Sequence, residues 1–341
     1  MVKTLPSSRR LLLVAVALLL LAGGGMSALW FWSAHRIPAE IAAWAQRERQ
    51  AGASVNWQSL SVGGFPLRLR VSLAGVTYGR SAGPPLYTAT APRLDGSAWI
   101  WNRGRWTISA PEGAALAVPA SDLRPALDAR AADVTGAVTV SGDGTDLAFT
   151  ATGVAGSGFE AATTAVHLVL PAAPAGNHLE SDGTLAVDVL HLSLPAEVPA
   201  LGRVIDEVSA RATLKGVIPA GPTPEALARW RDDGGTLELQ LTRLVWGPLQ
   251  ANADGTLALD QQLQPEGAMR ATIVGPGAIP DAMVASGAMR PNDGQLAKIA
   301  LGLMSKPGAN GTPQVTLPAR VQNGNLYLGP ARLLAMPRIA W

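Results

Sequence analysis

The sequence predicts a mainly β protein: an elongated, twisted antiparallel sheet with a few short helices, plus one N-terminal transmembrane helix. Three observations predict it. After Gly52, apolar residues recur at period two over most of the chain, the spacing that puts alternate side chains on one face of a strand. Gly and Pro occur 37 and 26 times among 341 residues, which suits many turns and disfavours long helices. Leu11 to Trp32 is a run of 22 residues without a charge. At 1.5 Å per residue such a run matches a hydrocarbon core of about 30 Å.

The elements follow in order. Residues 1–10 form a basic tail with Lys3, Arg9 and Arg10, and the first acidic residue is Glu40. Residues 11–32 are expected as the anchor, with Leu11 and Leu21 in lipid and Trp30 and Trp32 in an aromatic belt. The basic flank directs the rest of the chain out of the cytoplasm. A cleaved signal peptide is the competing reading, and only the Gly23 to Gly25 cluster offers it a tolerable site. The chain has no cysteine, so it carries neither a lipoprotein acylation site nor disulfides, and its exported part must rely on its core.

Residues 33–52 read as a membrane-proximal helix, with Ile37, Ile41, Trp44 and Ala45 at three- and four-residue spacings. Residues 53–341 form the β-rich domain, with a possible boundary between two lobes near 216–235. Strands are expected through Leu67, Leu69, Val71 and Leu73, then Val138 and Val140, Leu147 and Phe149, Val166 to Leu170, and Val187 and Val189. Further strands run through Ala212 and Leu214, Leu237 to Leu241, Leu257 and Leu259, Met269 to Ile273, and Val315 to Val321. Asn323-Gly324 is a type I′ hairpin signal, since both central residues need positive φ. Thr223 caps a helix over Pro224 to Asp233. Asn292 to Lys306 reads as another, with Leu296, Ile299, Ala300, Leu303 and Met304 on one stripe. Pro199 to Ser209 is a weaker helical candidate. Gly183-Thr184-Leu185, Gly235-Thr236-Leu237, Gly255-Thr256-Leu257 and Gly324-Asn325-Leu326 recur at uneven intervals, each expected to open a strand.

Charge excludes one class of partner. Four of the 27 basic residues lie in or beside the expected anchor, leaving 23 against 25 acidic ones, so nucleic acid binding gains no support.

Several pieces in order carry a resemblance. They are Gly63-Gly64-Phe65-Pro66-Leu67, Trp246-Gly247-Pro248, Gly255-Thr256-Leu257, Gln322-Asn323-Gly324 through Leu328-Gly329-Pro330, and Met336-Pro337. Together they resemble the uncharacterised Gram-negative envelope family called domain of unknown function 2125. That family is similar in style to AsmA-like and TamB-like envelope proteins. The resemblance implies a β-rich periplasmic body held at the inner membrane by one N-terminal pass, the N-terminus cytoplasmic, with a role in lipid transport or outer-membrane homeostasis. It carries no catalytic residue.

The residues themselves announce no reaction. His35, His167, His178 and His191 show no metal-ligand spacing. Gly156-Ser157-Gly158 lacks the flanking glycines of a nucleophile elbow, since Ala155 and Phe159 stand there. Gly153 to Gly158 lacks the Lys-Ser/Thr ending of a phosphate loop. Asp143, Asp146, Asp232 and Asp233 sit beside turn glycines, where Asp bonds its own backbone. No enzyme and no cofactor is therefore expected.

Two surfaces stand out. Leu67, Leu69, Val71, Leu239 and Leu257 are the candidate lining of an apolar groove. Trp99 and Trp101 with Arg103 and Arg105 form a candidate aromatic and basic patch, able to meet lipid headgroups or a glycan, or simply to cover a sheet edge. Phe65 is expected to wedge into the core behind the Gly63-Gly64 turn, with Pro66 starting a long strand. The expected role is a non-enzymatic protein whose groove shelters lipid. An interaction scaffold in the envelope, with another envelope protein as partner, is the first alternative. An envelope lipid or glycan hydrolase is the second, and an outer-membrane barrel is a third that the shortage of Tyr and Phe disfavours.

Overall fold

The computed structural model describes residues 8–80, 87–120, 126–217, 223–308, 311–328, 331–336 and 338–339. Side chains are described at all of these except 8–17, 19, 22, 328, 331, 333 and 334. One long helix, α1 (Ser8–Gln50), precedes β1 (Ala53–Asn56), β2 (Ser59–Gly63), β3 (Arg68–Arg80), β4 (Tyr87–Trp99), β5 (Asn102–Ala110), β6 (Ala114–Val118) and β7 (Leu127–Ala131). The meander continues through β8 (Asp133–Ser141), β9 (Gly144–Gly156), β10 (Phe159–Pro171), β11 (Ser181–Val198) and β12 (Gly202–Lys215). After α2 (Pro224–Asp232) come β13 (Thr236–Trp246), β14 (Leu249–Leu259) and β15 (Pro265–Val274). Then follow α3 (Ala278–Ala285), α4 (Pro291–Met304), β16 (Lys306–Pro307), β17 (Pro313–Gln322), β18 (Asn325–Leu328) and β19 (Ala331–Ala335).

The strands make one sheet in which the pairings are antiparallel. From β8 to β15 each strand pairs with the next, and β15 passes to β17. Near the start, β4 is flanked by both β5 and β6, which continue through β8 and β7 to β9. Among the described residues no pairing joins β19 to β1 or β2, so the sheet is open.

Directly opposed residues share a face, and the register therefore sorts the two faces. One row runs Val62, Val71, Gly96, Ile108, Gly136, Phe149, Val166, Val187, Ala210, Leu241, Ala253, Ala271, Leu317 across thirteen strands without a polar side chain. The adjacent row on the other face reads Arg70, Ser97, Thr107, Ala137, Ala148, His167, Ala186, Arg211, Gln240, Asp254, Arg270 and Pro318. Period-two alternation thus becomes one oily and one wet surface. The β expectation holds throughout, and Asn323 and Gly324, at φ 53° and 67°, form the expected turn between β17 and β18.

The transmembrane expectation does not hold. Among the described residues no helix is long and apolar enough to cross a membrane. The far end of the 11–32 run serves the fold instead: Trp30 is buried, as is Ser33 just beyond the run, and Met26 and the following Ala34 pack with Trp30 against Leu69 and Ile100. Leu21 is exposed and Trp32 half-exposed, while the side chain of Leu11 and residues 1–7 lie outside the described set. The separate helix expected from residue 33 is the continuation of α1.

Other elements are corrected too. Gly202 to Ser209 is strand, because a ladder with β11 runs along it and a second with β13 joins from Glu207 onward. Gly255 lies inside β14 rather than opening it. The stripe of α4 faces solvent, with Leu296, Ile299, Leu303 and Met304 all exposed. Phe65 is exposed rather than wedged into the core, and stands edge-on to Trp30 at 5.4 Å. Helix α2 matches its expected span: the Thr223 hydroxyl accepts from the Ala226 N–H at 3.2 Å, and Ala226, Leu227 and Trp230 are buried.

Candidate functional site

The oily face is covered unevenly. Over its first strands lies α1, which places Ile37, Ile41 and Trp44 above Val71, Leu73, Leu94 and Ile108 around a cavity of about 350 Å³. Ala45, at 0% exposure, seats the helix. Trp44 stacks on Tyr78 at 6.2 Å, and the Tyr78 hydroxyl donates to Glu48 at 3.2 Å. The bond with Tyr87, burial and the Glu48 charge push the Tyr78 hydroxyl up to about 12.

Further along, no helix among the described residues lies across the row. Leu185, Val187, Leu239, Leu241, Met269 and Ile273 line a trough of about 410 Å³ on β11 to β15, which Ala319, Leu326 and Tyr327 of β17 and β18 extend and which Arg211, Gln240 and Asn252 border. Its floor is largely alanine: Ala210, Ala212, Ala251, Ala253 and Ala271. The side chains of the central row from Phe149 to Leu317 are half-buried, so the trough is open to solvent.

The groove residues read from the sequence divide accordingly. Leu239 lines the trough. Leu69 and Val71, at 1% and 5% exposure, are sealed beneath and beside α1. Leu257 is buried, and Leu67 is turned outward at 46% exposure. From the sequence, Ala271 falls on a strand but not in the groove, and Ala210 and Ala253 are not singled out, because alanine between polar neighbours is a weak signal. The alternation Ala251, Asn252, Ala253, Asp254 was the mark that would have found the row.

The aromatic and basic patch does assemble, and α1 joins it. Trp99 and Trp101 stack at 4.8 Å, and the Arg68 guanidinium lies 4.2 Å from the Trp99 ring centre. Arg36 and Arg103 approach the Trp32 ring at 4.8 and 5.8 Å. The Trp30 indole donates to the Arg68 carbonyl at 2.7 Å, and the Trp106 indole donates to the Arg103 carbonyl at 3.0 Å. Arg105 is exposed on β5.

The remaining motif residues shape turns. Gly64 has φ +94°, and a Cβ there would meet the Arg68 carbonyl oxygen at 2.6 Å. Pro66 follows it in the turn before β3. The Trp246 indole donates to the Gly202 carbonyl at 3.2 Å and fixes the corner at Gly247 and Pro248. Gly329, Pro330 and Pro337 lie outside the described residues.

Titratable groups are dispersed. Among the described residues no three His, Asp or Glu side chains converge as a metal site. Asp146 meets His167 at 2.9 Å on the polar face, and Asp232 meets Arg231. Burial pushes the Asp95 carboxyl up, but the Ser72 hydroxyl bond and the bond and charge of Arg93, with Arg70, outweigh it and hold the group below the usual carboxylate range.

Residues 30–337 match the family described as an uncharacterized protein conserved in bacteria (DUF2125), and the chain belongs to that family. No curated protein and no solved structure matches the chain.

Proposed function

We propose that this member of an uncharacterised bacterial family is a non-enzymatic carrier of acyl chains, which lie along the oily face of its sheet. One observation carries the reading: the unbroken apolar row from Val62 to Leu317. Neighbouring strands are about 4.8 Å apart, so thirteen strands span roughly 58 Å along the sheet. That is nearly twice the hydrocarbon core of about 30 Å that holds two leaflets of chains. The row is thus long for one ligand and suits passage of chains along it.

Energy favours occupancy. Each CH₂ moved from water into the trough gains about 0.8 kcal/mol, against the cost of ordering the chain. With no charge on the row, a headgroup rests at the rim. The reading includes a location in the bacterial envelope, where lipids must cross water between membranes.

Uptake of a fluorescent polyene fatty acid by the full chain tests this directly. Leu241→Glu puts a charge in the row and should abolish uptake, whereas Thr272→Glu, beside Ala271 but on the polar face, should leave it intact. Equal uptake by the two variants, or none by the wild type, would overturn the reading.

A further inference from the structure

The aromatic cluster beside α1 is more than a packed edge. Three segments converge there: Leu29 to Arg36 of α1, Gly63 to Arg70 around the β2–β3 turn, and Trp99 to Trp106 around the β4–β5 turn. They contain Arg36, Arg68, Arg70, Arg103 and Arg105 and no acidic residue. They also hold five of the chain's ten tryptophans and two of its four phenylalanines. Trp30 is spent on the core, but most of the other rings face outward: Trp101, Phe31, Phe65 and Trp32 are 60%, 53%, 52% and 52% exposed. Leu67 and Trp99 continue the same surface at 46% and 39%.

We propose that this collar seats the protein on the surface of an anionic bilayer. Tryptophan concentrates at the interface between hydrocarbon and headgroups, where an apolar ring with a polar edge is satisfied. Arg36 is paired with Glu40 at 3.5 Å, whereas Arg68, Arg103 and Arg105 form no ion pair among the described residues, and such unpaired guanidinium groups are complementary to anionic headgroups. Here the two are interleaved, since Arg68 lies on Trp99, and Arg36 and Arg103 lie on Trp32. The rings are therefore held splayed outward, with positive charge on their flanks. The bond from the Arg103 guanidinium to the Ser33 hydroxyl at 3.5 Å ties the β4–β5 turn to α1, so the collar is presented as one body. Its position matters, because Trp106 and Ile37, which pack against the collar's buried base, also line the α1 cavity. Docking would bring that end of the oily face to the lipid surface.

The collar stands independently of what the trough holds, and the experiment keeps them apart. Because the chain has no cysteine, Trp101→Cys in the full chain accepts an environment-sensitive fluorophore at one place only. Mixed with vesicles of equal phosphatidylglycerol and phosphatidylcholine, the label should shift to the blue and be quenched by headgroup-labelled nitroxide lipid. Phosphatidylcholine alone should give a much smaller response, and Arg68→Gln with Arg103→Gln should reduce the anionic response severalfold. The same label at Gln240→Cys should stay aqueous, and Leu67→Cys provides a second collar position should Trp101→Cys misfold. A label unchanged by anionic vesicles, or one responding equally to both lipids, overturns the proposal. So does a collar that answers only to an acidic protein.

Discussion

Phe149 lays its ring across Gly136 on the neighbouring strand: a Cβ added to Gly136 would come within 2.3 Å of the Phe149 ring and 2.5 Å of the Ala148 carbonyl oxygen. The pair sits in the middle of the apolar row, where β8 meets β9. Glycine is required for that approach, and the ring covers the backbone it exposes. Gly136→Val should therefore destabilise the protein by about 1–3 kcal/mol, the range for forced overpacking, read as a lower urea midpoint. An unchanged midpoint would show that the ring moves aside freely.

Trp230 closes the turn between α2 and β13. It is 5% exposed, its indole donates to the Lys215 carbonyl at 2.8 Å, and its ring covers Gly235. Trp230→Phe keeps the packing and removes the donor, which should cost about 1–3 kcal/mol. Trp230→Ala also leaves a cavity and should cost about 3–5 kcal/mol. Equal losses in the two variants, measured by denaturant unfolding, would contradict this division.

Asp95 ties stability to acid. Its folded carboxyl titrates below the usual range despite burial, owing to Ser72 and Arg93. A depressed pKa contributes stability that is present above the unfolded value of about 3.9 and is lost as pH falls through the folded value. The wild type should thus be more stable than Asp95→Asn at neutral pH, with the gap closing below about pH 4. A gap that persists undiminished into strong acid would refute the assignment.

Tyr78 makes the opposite coupling at high pH. Its hydroxyl is raised to about 12 by Tyr87, burial and Glu48, so its contribution is present below about 10 and fades between there and the folded value. Tyrosinate absorbance should show a late-titrating phase, and Tyr78→Phe should remove it.

The sheet was legible in the sequence because half-burial writes itself as alternation: Leu237, Leu239 and Leu241 between Thr236, Glu238 and Gln240 leave no other reading. The Asn323-Gly324 turn and the Thr223-Pro224 start of α2 were legible because their chemistry is local. The order of apolar residues across strands was not, since it depends on register, and a slip of one residue would reverse every face. The run 11–32 misled for a related reason. An apolar helix that packs on a sheet and one that crosses lipid are written alike, and only the contact of Trp30 with Leu69 and Ile100 separates them. In the collar, Trp99, Trp101 and Arg103 were visible as a local cluster. Trp32 and Arg68 were not part of it, because they reach it through tertiary folding.

The central claim is that one face of this sheet, and not the other, receives acyl chains along its length. Photo-crosslinking the full chain with a diazirine-bearing fatty acid, followed by peptide mapping, tests it most directly. Adducts should fall on row residues at both ends, around Ile108 under α1 and around Leu241 and Ala271 in the trough. Adducts at Thr107, Thr272 or Arg270 in equal yield would contradict the account.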